Sequence, residues 1–239
     1  MWLLTLFLIV VVLFGAFAGS QNWLVFEKLT KTNLLNGCLI ILSIFTLLMV
    51  LHSFGLFPQT IAAPFMMAIY SLIAGFFAGT ANKLIQQRQE SGNILYQYRS
   101  FWVDHAPNLL AVALIIYGIY RTAVFTAEPV TGIRITSGLS LMCFGFFTWT
   151  LKAVPEFRSK GIFFLDRFIP WKEVIAWRWH GETVIAIEFV ADNESTDERI
   201  KELYTTIPED EKKEIEIVLK SKMEEYADDR KKILFREDE

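Results

Sequence analysis

Hydrophobic residues fall into five long blocks in the first part of the chain, and a charged region follows them. A helix needs about 20 predominantly apolar residues to cross the hydrocarbon core of a bilayer. The blocks meet this length and are too uniformly apolar for the surface helices of a water-soluble protein. We therefore predict a transmembrane domain over 1–153 with five helices, at 2–19, 35–54, 60–80, 107–125 and 135–153.

Beyond residue 155 apolar and polar residues alternate, which is typical of β-strands with one buried face. The alternation predicts extended segments at 157–165, 168–170, 171–179, 184–190 and 200–207, with a tight turn at 180–182. Pro208 and the acidic residues after it favour a helix start, because the first helical turn tolerates proline and its dipole attracts negative charge. The fold class predicted for 156–234 is a small α+β domain, an antiparallel sheet closed by a helix at 208–234.

One face of this last helix is predicted to close the sheet, because its larger side chains recur at helical spacing. These side chains are Ile215, Val218, Leu219, Lys222 or Met223, and Tyr226.

The charge divides along the chain where the hydropathy does. Residues 1–151 hold seven Lys and Arg and four Asp and Glu, whereas 152–239 hold sixteen and twenty-two. Basic residues are in excess at 152–178, next to the membrane, where they suit anionic lipid headgroups. The acidic remainder argues against nucleic acid as a partner, because binding to phosphates needs positive charge.

Basic residues also predict the orientation, since they are enriched in cytoplasmic loops. With the N-terminus outside, the outside loops hold one basic residue, Arg134, and Arg121 lies near the outer end of the fourth helix. The inside segments hold eight: Lys28, Lys31, Lys83, Arg88, Arg99, Lys152, Arg158 and Lys160.

The triplet 16–18 looks like a signal-peptide cleavage site, but no basic residue precedes the apolar block, so we expect the first helix to be retained. The prediction is a multi-pass protein of the inner (plasma) membrane with a cytoplasmic C-terminal domain.

Two predicted helices carry glycine pairs at a spacing of four, Gly15 with Gly19 and Gly75 with Gly79. Small residues at this spacing let helix backbones approach closely. We expect them to pack helices within one molecule in preference to forming a dimer face.

The loop between the third and fourth helices turns aromatic, at Tyr96, Tyr98, Phe101 and Trp102. Tyr and Trp favour the headgroup layer of a membrane. We interpret the loop as a helix extension followed by an interfacial segment, with a substrate-binding loop as the alternative.

Residues that would carry catalysis or bind a metal are not grouped along the chain. The three histidines lie in separate regions, at His52, His105 and His180, and no spacing matches a zinc site. The acidic loop 192–197 lacks the glycine of a calcium loop, and Cys38 and Cys143 fall within predicted membrane helices. We predict no enzyme activity, no metal and no cofactor.

The string Gly161-Ile162-Phe163, followed by Phe168-Ile169-Pro170-Trp171-Lys172-Glu173-Val174, resembles the small PH-like domains of bacterial multi-pass membrane proteins. Those domains place a Gly-Ile strand before an Ile/Val-Pro-Trp corner, and they end as Ile207-Pro208-Glu209-Asp210 does here, before an amphipathic helix. The resemblance covers 156–226. It implies a curved antiparallel sheet capped by a C-terminal helix, and a binding role without an implied activity.

Three tryptophans and two basic residues lie close together in this stretch: Trp171, Lys172, Trp177, Arg178 and Trp179. Tryptophans on a small sheet most often pack in or beside its core. Because charged residues flank them, the alternative is a surface that meets the membrane or a partner, and these five residues are our candidate interaction surface.

The function predicted is a membrane-anchored interaction or assembly module, whose cytoplasmic domain binds a protein partner through 156–226. Membrane lipid is the other expected partner, and homo-oligomerisation is left open. One alternative is a small transporter or channel with a regulatory domain, although no Asp or Glu lies at the centre of a predicted helix. Another is a lipid-acting membrane enzyme that uses Arg99, Asp104 and His105.

Overall fold

The computed structural model describes residues 2–21, 30–98, 101–152, 154–190 and 200–229, and for residues 101, 103 and 104 it describes the backbone alone. The chain divides into two compact units. The first comprises Met1–Ile85 and His105–Leu151, and the second comprises Gln86–Asp104 and Lys152–Glu239. The domain boundary expected from hydropathy is therefore corrected, because the loop between the third and fourth helices joins the second unit.

The first unit is helical, and each helix corresponds to one predicted apolar block. The helices are α1 Trp2–Ser20, α2 Lys31–Ser53, α3 Gln59–Glu90, α4 Phe101–Arg121 and α5 Gly132–Thr150, with the first residues of α4 and the last turn of α3 counted in the second unit. Among the described residues α1, α2 and α3 are long and apolar enough to cross a membrane.

A tight turn joins α2 to α3, as the glycine and proline at this point predict. Gly55 has a positive φ of 73°, a conformation that glycine adopts without steric cost. The amides of Leu56 and Phe57 donate to the Leu51 carbonyl. Nδ1 of His52 lies 2.8 Å from the Phe57 carbonyl oxygen, so this histidine has a structural contact within the turn.

Helices α1 and α3 cross at the two glycine pairs. A Cβ atom on Gly75 would lie 2.1 Å from the carbonyl oxygen of Val12, and one on Gly79 would lie 2.1 Å from that of Ala16. The glycines of α1 face the backbone of α3 in the same way. No side chain larger than hydrogen fits at these positions, so the two backbones are in direct contact.

Polar side chains of α3 hold the C-terminal end of α1. The Thr80 hydroxyl donates to the Gly19 carbonyl at 3.2 Å, and the Lys83 ammonium donates to the Ser20 carbonyl at 2.8 Å. A cation is favourable at this end of a helix, because the last carbonyls carry a partial negative charge.

A second close helix contact, between α4 and α5, was missed in the sequence. A Cβ atom on Gly138 would lie 2.6 Å from the Gly118 carbonyl oxygen, and one on Gly145 would lie 2.9 Å from that of Ala111. Gly138 and Gly145 are seven residues apart instead of four, so the pattern that singles out the α1–α3 crossing does not occur here.

The second unit contains two antiparallel sheets and a helix. One sheet has the order β1 Ile94–Gln97, β2 Glu156–Arg158, β3 Gly161–Phe164 and β4 Arg167–Pro170, and the other has the order β5 Val174–Trp179, β6 Val184–Val190 and β7 Ile200–Thr206. Short 3₁₀ turns at Trp171–Glu173 and Glu209–Glu211 precede β5 and the helix α6 Lys212–Glu225. The alternating region is thus an antiparallel sheet domain with a C-terminal helix, as predicted.

Strand β1 comes from the loop between α3 and α4 and pairs with β2, which places Tyr96 opposite Phe157. Tyr96 is buried in the core of the second unit, and Tyr98 packs against that core. The expectation that these tyrosines lie in the headgroup layer is therefore wrong. Four residues are too few for an alternation to be recognised, and the pairing partner is distant in sequence.

The strand predicted at 157–165 is a hairpin of two strands, β2 and β3. The amides of its turn bind the segment before β1, Ser159 to the Asn93 carbonyl at 2.9 Å and Lys160 to the Ser91 carbonyl at 3.2 Å. Gly161 opens β3, where a Cβ atom would lie 2.3 Å from the carbonyl oxygen of Ile169.

A single hydrophobic core joins both sheets and α6. Its buried members are Tyr96, Phe157, Ile162, Ile169, Trp171, Val174, Ile185, Ile187, Phe189, Leu203, Ile207, Ile215 and Leu219. Val218, Met223 and Tyr226 are partly buried against it, so the sheet-facing side predicted for the last helix is confirmed. The predicted continuation over 230–234 lies outside the described residues.

We expect Gly79→Ala to destabilise the protein, since the added methyl group would overlap the Ala16 carbonyl and force α1 from α3. Overpacking of this kind costs roughly 1–3 kcal/mol. Gly37→Ala is the matched control, because no atom lies within 4 Å of a Cβ atom there. Thermal unfolding in detergent should give a lower midpoint for Gly79→Ala, and an unchanged or raised midpoint for Gly37→Ala. Equal midpoints would contradict the direct backbone contact.

Candidate interaction surface and a buried arginine network

The five residues of the candidate interaction surface do not share one surface. Trp171 is buried, and its indole N–H donates to the Arg158 carbonyl at 2.8 Å. Its ring stacks with that of Phe157 at a centroid distance of 6.4 Å. The expectation that Trp171 is a surface residue is corrected, because this side chain fills the corner where the chain passes from β4 to β5.

Trp177 and Trp179 lie on the inner face of β5 and pack against the core. A β-bulge after Val174 places that residue and both tryptophans on one face, although strict alternation would separate them. The Trp179 indole N–H donates to Glu216 of α6 at 2.9 Å, and the Lys212 ammonium lies 5.1 Å from its ring centroid. Trp179 therefore attaches α6 to the sheet.

Arg178 lies on the opposite face of β5 and is exposed. Its guanidinium is 2.7 Å from a carboxylate oxygen of Glu202 and 3.6 Å from one of Glu188. We call this side of the three-stranded sheet the outer sheet face; it is formed by Arg178, Glu188, Ile200, Glu202 and Tyr204. Lys172 is exposed as well, but it lies in the 3₁₀ turn before β5 and not on this face.

The outer sheet face combines charge with exposed aromatic and aliphatic surface. Tyr204 is 50% exposed and Ile200 is 57% exposed. The Tyr204 hydroxyl donates to Glu202, and this hydrogen bond raises the pKa of Tyr204 because ionisation would set two negative charges side by side. The Tyr204 ring meets that of His180 edge-on at 5.9 Å.

Inside the second unit lies a buried charge network that sequence analysis missed. Glu156 and Arg158 are both buried on β2. The Arg158 guanidinium donates to one carboxylate oxygen of Glu156 through Nε at 2.8 Å and through Nη2 at 2.7 Å. Nε of Arg88, from the last turn of α3, lies 3.4 Å from the same oxygen. A buried carboxylate thus stands between two guanidinium groups.

The remaining nitrogen of Arg158 caps the C-terminal end of α3. Nη1 donates to the carbonyls of Arg88 and Gly92, both at 2.8 Å. The Ser91 hydroxyl donates to the Arg88 carbonyl at 2.7 Å, and Gly92 leaves the helix with a φ of 83°. The last carbonyls of a helix have no partner within it, so Arg158 both pairs them and brings positive charge where the dipole favours it.

The spacing of Glu156 and Arg158 in the sequence could have predicted their ion pair. Residues two apart on a strand share a face, so a glutamate and an arginine in that relation form an ion pair on one side of β2. The helix end that Arg158 caps could not be read from the sequence, because it lies far away along the chain.

A separate contact joins β1 to the start of α6. The Tyr96 hydroxyl donates to a carboxylate oxygen of Glu211 at 2.5 Å. Burial, and then the carboxylate of Glu211, raise the pKa of Tyr96 far above its ordinary value of 10.0.

The described residues contain no group of three or more His, Cys, Asp or Glu that could hold a metal ion. Several residues weighed for chemistry lie outside the description, namely Arg99, the side chain of Asp104, and the loop 192–197. Cys38 and Cys143 are not joined in a disulfide.

Residues 153–224 match the sequence family described as a domain of unknown function, DUF5673. The match covers less than half of the chain, and it spans strands β2 to β7 and nearly all of α6 but not β1. No curated protein matches the chain, and no solved structure matches it.

We expect Arg158→Met to destabilise the second unit strongly, because it leaves Glu156 with one guanidinium fewer and uncaps α3. Removing one partner of a buried pair typically costs about 3–5 kcal/mol. Arg178→Met is the matched control, since its ion pairs are on the surface and such pairs contribute about 0–1 kcal/mol. Denaturant unfolding in detergent, followed by tryptophan fluorescence, measures both. Equal losses in the free energy of unfolding for the two variants would show that the buried network contributes no more to stability than the surface ion pairs do.

Tyr96 should make stability fall at alkaline pH. Its folded-state pKa is raised, so the neutral phenol stabilises the fold fully below pH 10.0, the ordinary value. Above that pH the unfolded chain loses the proton while the folded chain keeps it, and the free energy of unfolding falls. Tyr96→Phe has no phenol to ionise, so its free energy of unfolding should lack this decrease. The difference in free energy of unfolding between the two proteins should therefore become smaller above pH 10.0. A difference that stays constant would contradict the raised pKa.

Proposed function

We propose that the chain is a five-span protein of the inner membrane, with its N-terminus outside and its sheet domain in the cytoplasm. In this proposal the protein is a membrane-anchored interaction or assembly module and not an enzyme. The sheet domain binds a protein partner through the outer sheet face, close to the lipid surface.

Two features support the five-span topology. Helices α4 and α5 have 21 and 19 residues, and at 1.5 Å per residue such lengths suit a hydrocarbon core of about 30 Å. Arg134, the basic residue assigned to an outside loop, is ion-paired with Glu128. Arg134 is the one basic residue that the prediction assigns to an outside loop, against eight in the inside segments, and this excess is what the positive-inside rule requires.

The strand arrangement supports the proposed PH-like character of the second unit. Among the described residues, seven antiparallel strands form sheets of four and three, and a helix after β7 closes the core. The Pro170-Trp171 corner stands at the passage between the sheets. A curved sheet capped by a C-terminal helix is what the resemblance implies, and a binding role comes with it.

The observation that carries the proposal is the composition of the outer sheet face. Arginine and tyrosine are enriched at protein interfaces, where they supply contact area together with hydrogen bonds. Here Arg178 and Tyr204 stand on a sheet whose other face is packed on the core, so they are held in place before any partner binds. Such rigidity lowers the entropy cost of association.

Hydroxyl groups in the helical unit favour an anchor over a transporter. Among the buried hydroxyls of this unit, those of Thr136, Ser137, Ser140 and Thr150 each donate to a carbonyl of their own helix. The Thr80 hydroxyl lies within hydrogen-bond distance of the carbonyls of Phe76 in its own helix and Gly19 in α1. A conducting path needs polar groups turned towards water or a solute, and these are turned towards the backbone.

A photo-reactive amino acid at position 204 should crosslink to one discrete protein in native membranes. Adding Arg178→Glu should reduce the adduct by about 30-fold or more, because loss of a hot-spot residue costs 2 kcal/mol or more. The variant leaves the core untouched, unlike a deletion of the domain, which would leave β1 without β2.

The control places the same amino acid at Ile217, a residue of α6 that is more exposed than Tyr204. That position should give no adduct with the same protein. Adducts at 204 that consist of lipid alone, or that persist with Arg178→Glu, would overturn the proposal.

A further inference from the structure

Helix α2 buries none of its residues against the rest of the described chain. Helices α1, α3 and α5 each bury residues, as the glycine contacts require. Yet α2 is long and apolar enough to cross a membrane. Its side chains therefore face the bilayer, or another protein molecule, along the whole helix.

The residues of α2 are not distributed evenly around it. Asn36, Ile40, Ser43, Leu47 and Val50 follow one another at intervals of four, three, four and three. This is the heptad spacing of two helices that pack side by side in a left-handed coiled coil. We call these five residues the α2 seam. The opposite side of the helix consists of Leu34, Cys38, Ile41, Phe45 and Met49.

Two polar side chains of the seam have no hydrogen-bond partner within the part of the chain that the structure describes, the amide of Asn36 and the hydroxyl of Ser43. By contrast, the hydroxyl of Thr46, beside the seam, donates to the Leu42 carbonyl at 2.8 Å. Between residues 36 and 50 of α2, the unmet groups among the described residues therefore belong to the seam.

Both positions lie at hydrocarbon depth if α2 spans the membrane. The midpoint of the helix is near residue 42, beside Ser43, and Asn36 is about 9 Å from it along the axis. That is within the half-thickness of about 15 Å of the hydrocarbon core. An amide without a hydrogen-bond partner at this depth costs several kcal/mol. Lipid chains cannot form hydrogen bonds, so the Asn36 side chain needs a partner from a protein.

We propose that α2 pairs with α2 of a second copy of this chain through the α2 seam. An asparagine amide both donates and accepts, so two Asn36 side chains related by a two-fold axis satisfy each other, and the same holds for two Ser43 hydroxyls. A shallow groove on this side of the helix, lined by Leu42, Ser43, Thr46, Leu47 and Val50, accepts side chains of the second helix. Self-complementarity is what selects a second copy over an unrelated helix.

This pairing depends on α2 lying in the membrane and is independent of the partner proposed for the outer sheet face. Its test is disulfide crosslinking in native membranes, with one cysteine per chain. One protein carries Ile40→Cys on the seam with both native cysteines replaced by alanine. The other retains Cys38 alone, on the opposite side of α2. Oxidation should link the first into a dimer and leave the second monomeric.

Asn36→Leu in the Ile40→Cys protein should reduce the crosslinked fraction about 5- to 30-fold, the range for one polar interhelical contact. Phe45→Leu is the matched control and should change nothing, since Phe45 lies on the side of α2 opposite the seam. A normal elution profile for each variant excludes misfolding as the cause.

Three results would overturn the pairing. They are equal crosslinking through Cys38 and Ile40→Cys, a disulfide from Ile40→Cys to a different protein, and a crosslinked fraction that Asn36→Leu leaves unchanged.

Discussion

The guanidinium of Arg158 holds together parts of the second unit that are far apart in sequence. It binds the carboxylate of Glu156 on its own strand, and it binds the carbonyls of Arg88 and Gly92 at the end of α3. Burying a charge costs several kcal/mol unless the surroundings replace the water that it loses. Here a carboxylate and two carbonyls replace that water, so the same contacts that offset the cost also specify where the helix must end.

The position of the 91–98 segment follows from this cap. With the last turn of α3 bound to β2, the residues after Gly92 run alongside that strand and become β1. Tyr96 then fills the core and reaches Glu211 at the start of α6. The loop between two helices is therefore part of the sheet domain, and this chain completes the fold with a strand that lies outside its family match at 153–224.

The helical unit is packed by a different physical rule. In the membrane location that we propose for this unit, lipid chains are as apolar as leucine, so helices gain little from burying apolar side chains and associate through close van der Waals contact and hydrogen bonds. The α1–α3 and α4–α5 contacts both use glycines whose Cβ positions are occupied by the neighbouring backbone. Helix α2 has no such contact among the described residues, which is why its polar seam stands out.

Local pattern by itself determined the positions of the helices, of the strands other than β1 and the separate pair β2 and β3, and of the apolar side of α6, because hydrophobic periodicity is set by nearby residues. It also pointed to the glycines of the α1–α3 crossing, whose regular spacing is visible in one dimension. Only the tertiary structure decided which tryptophans are buried. A bulge after Val174 turned Trp177 and Trp179 inward, and a corner between two sheets buried Trp171. The same is true of β1 and of the Arg158 network, because a short strand and a helix cap are stabilised by partners distant along the chain, and no local pattern encodes which distant partner will be adjacent.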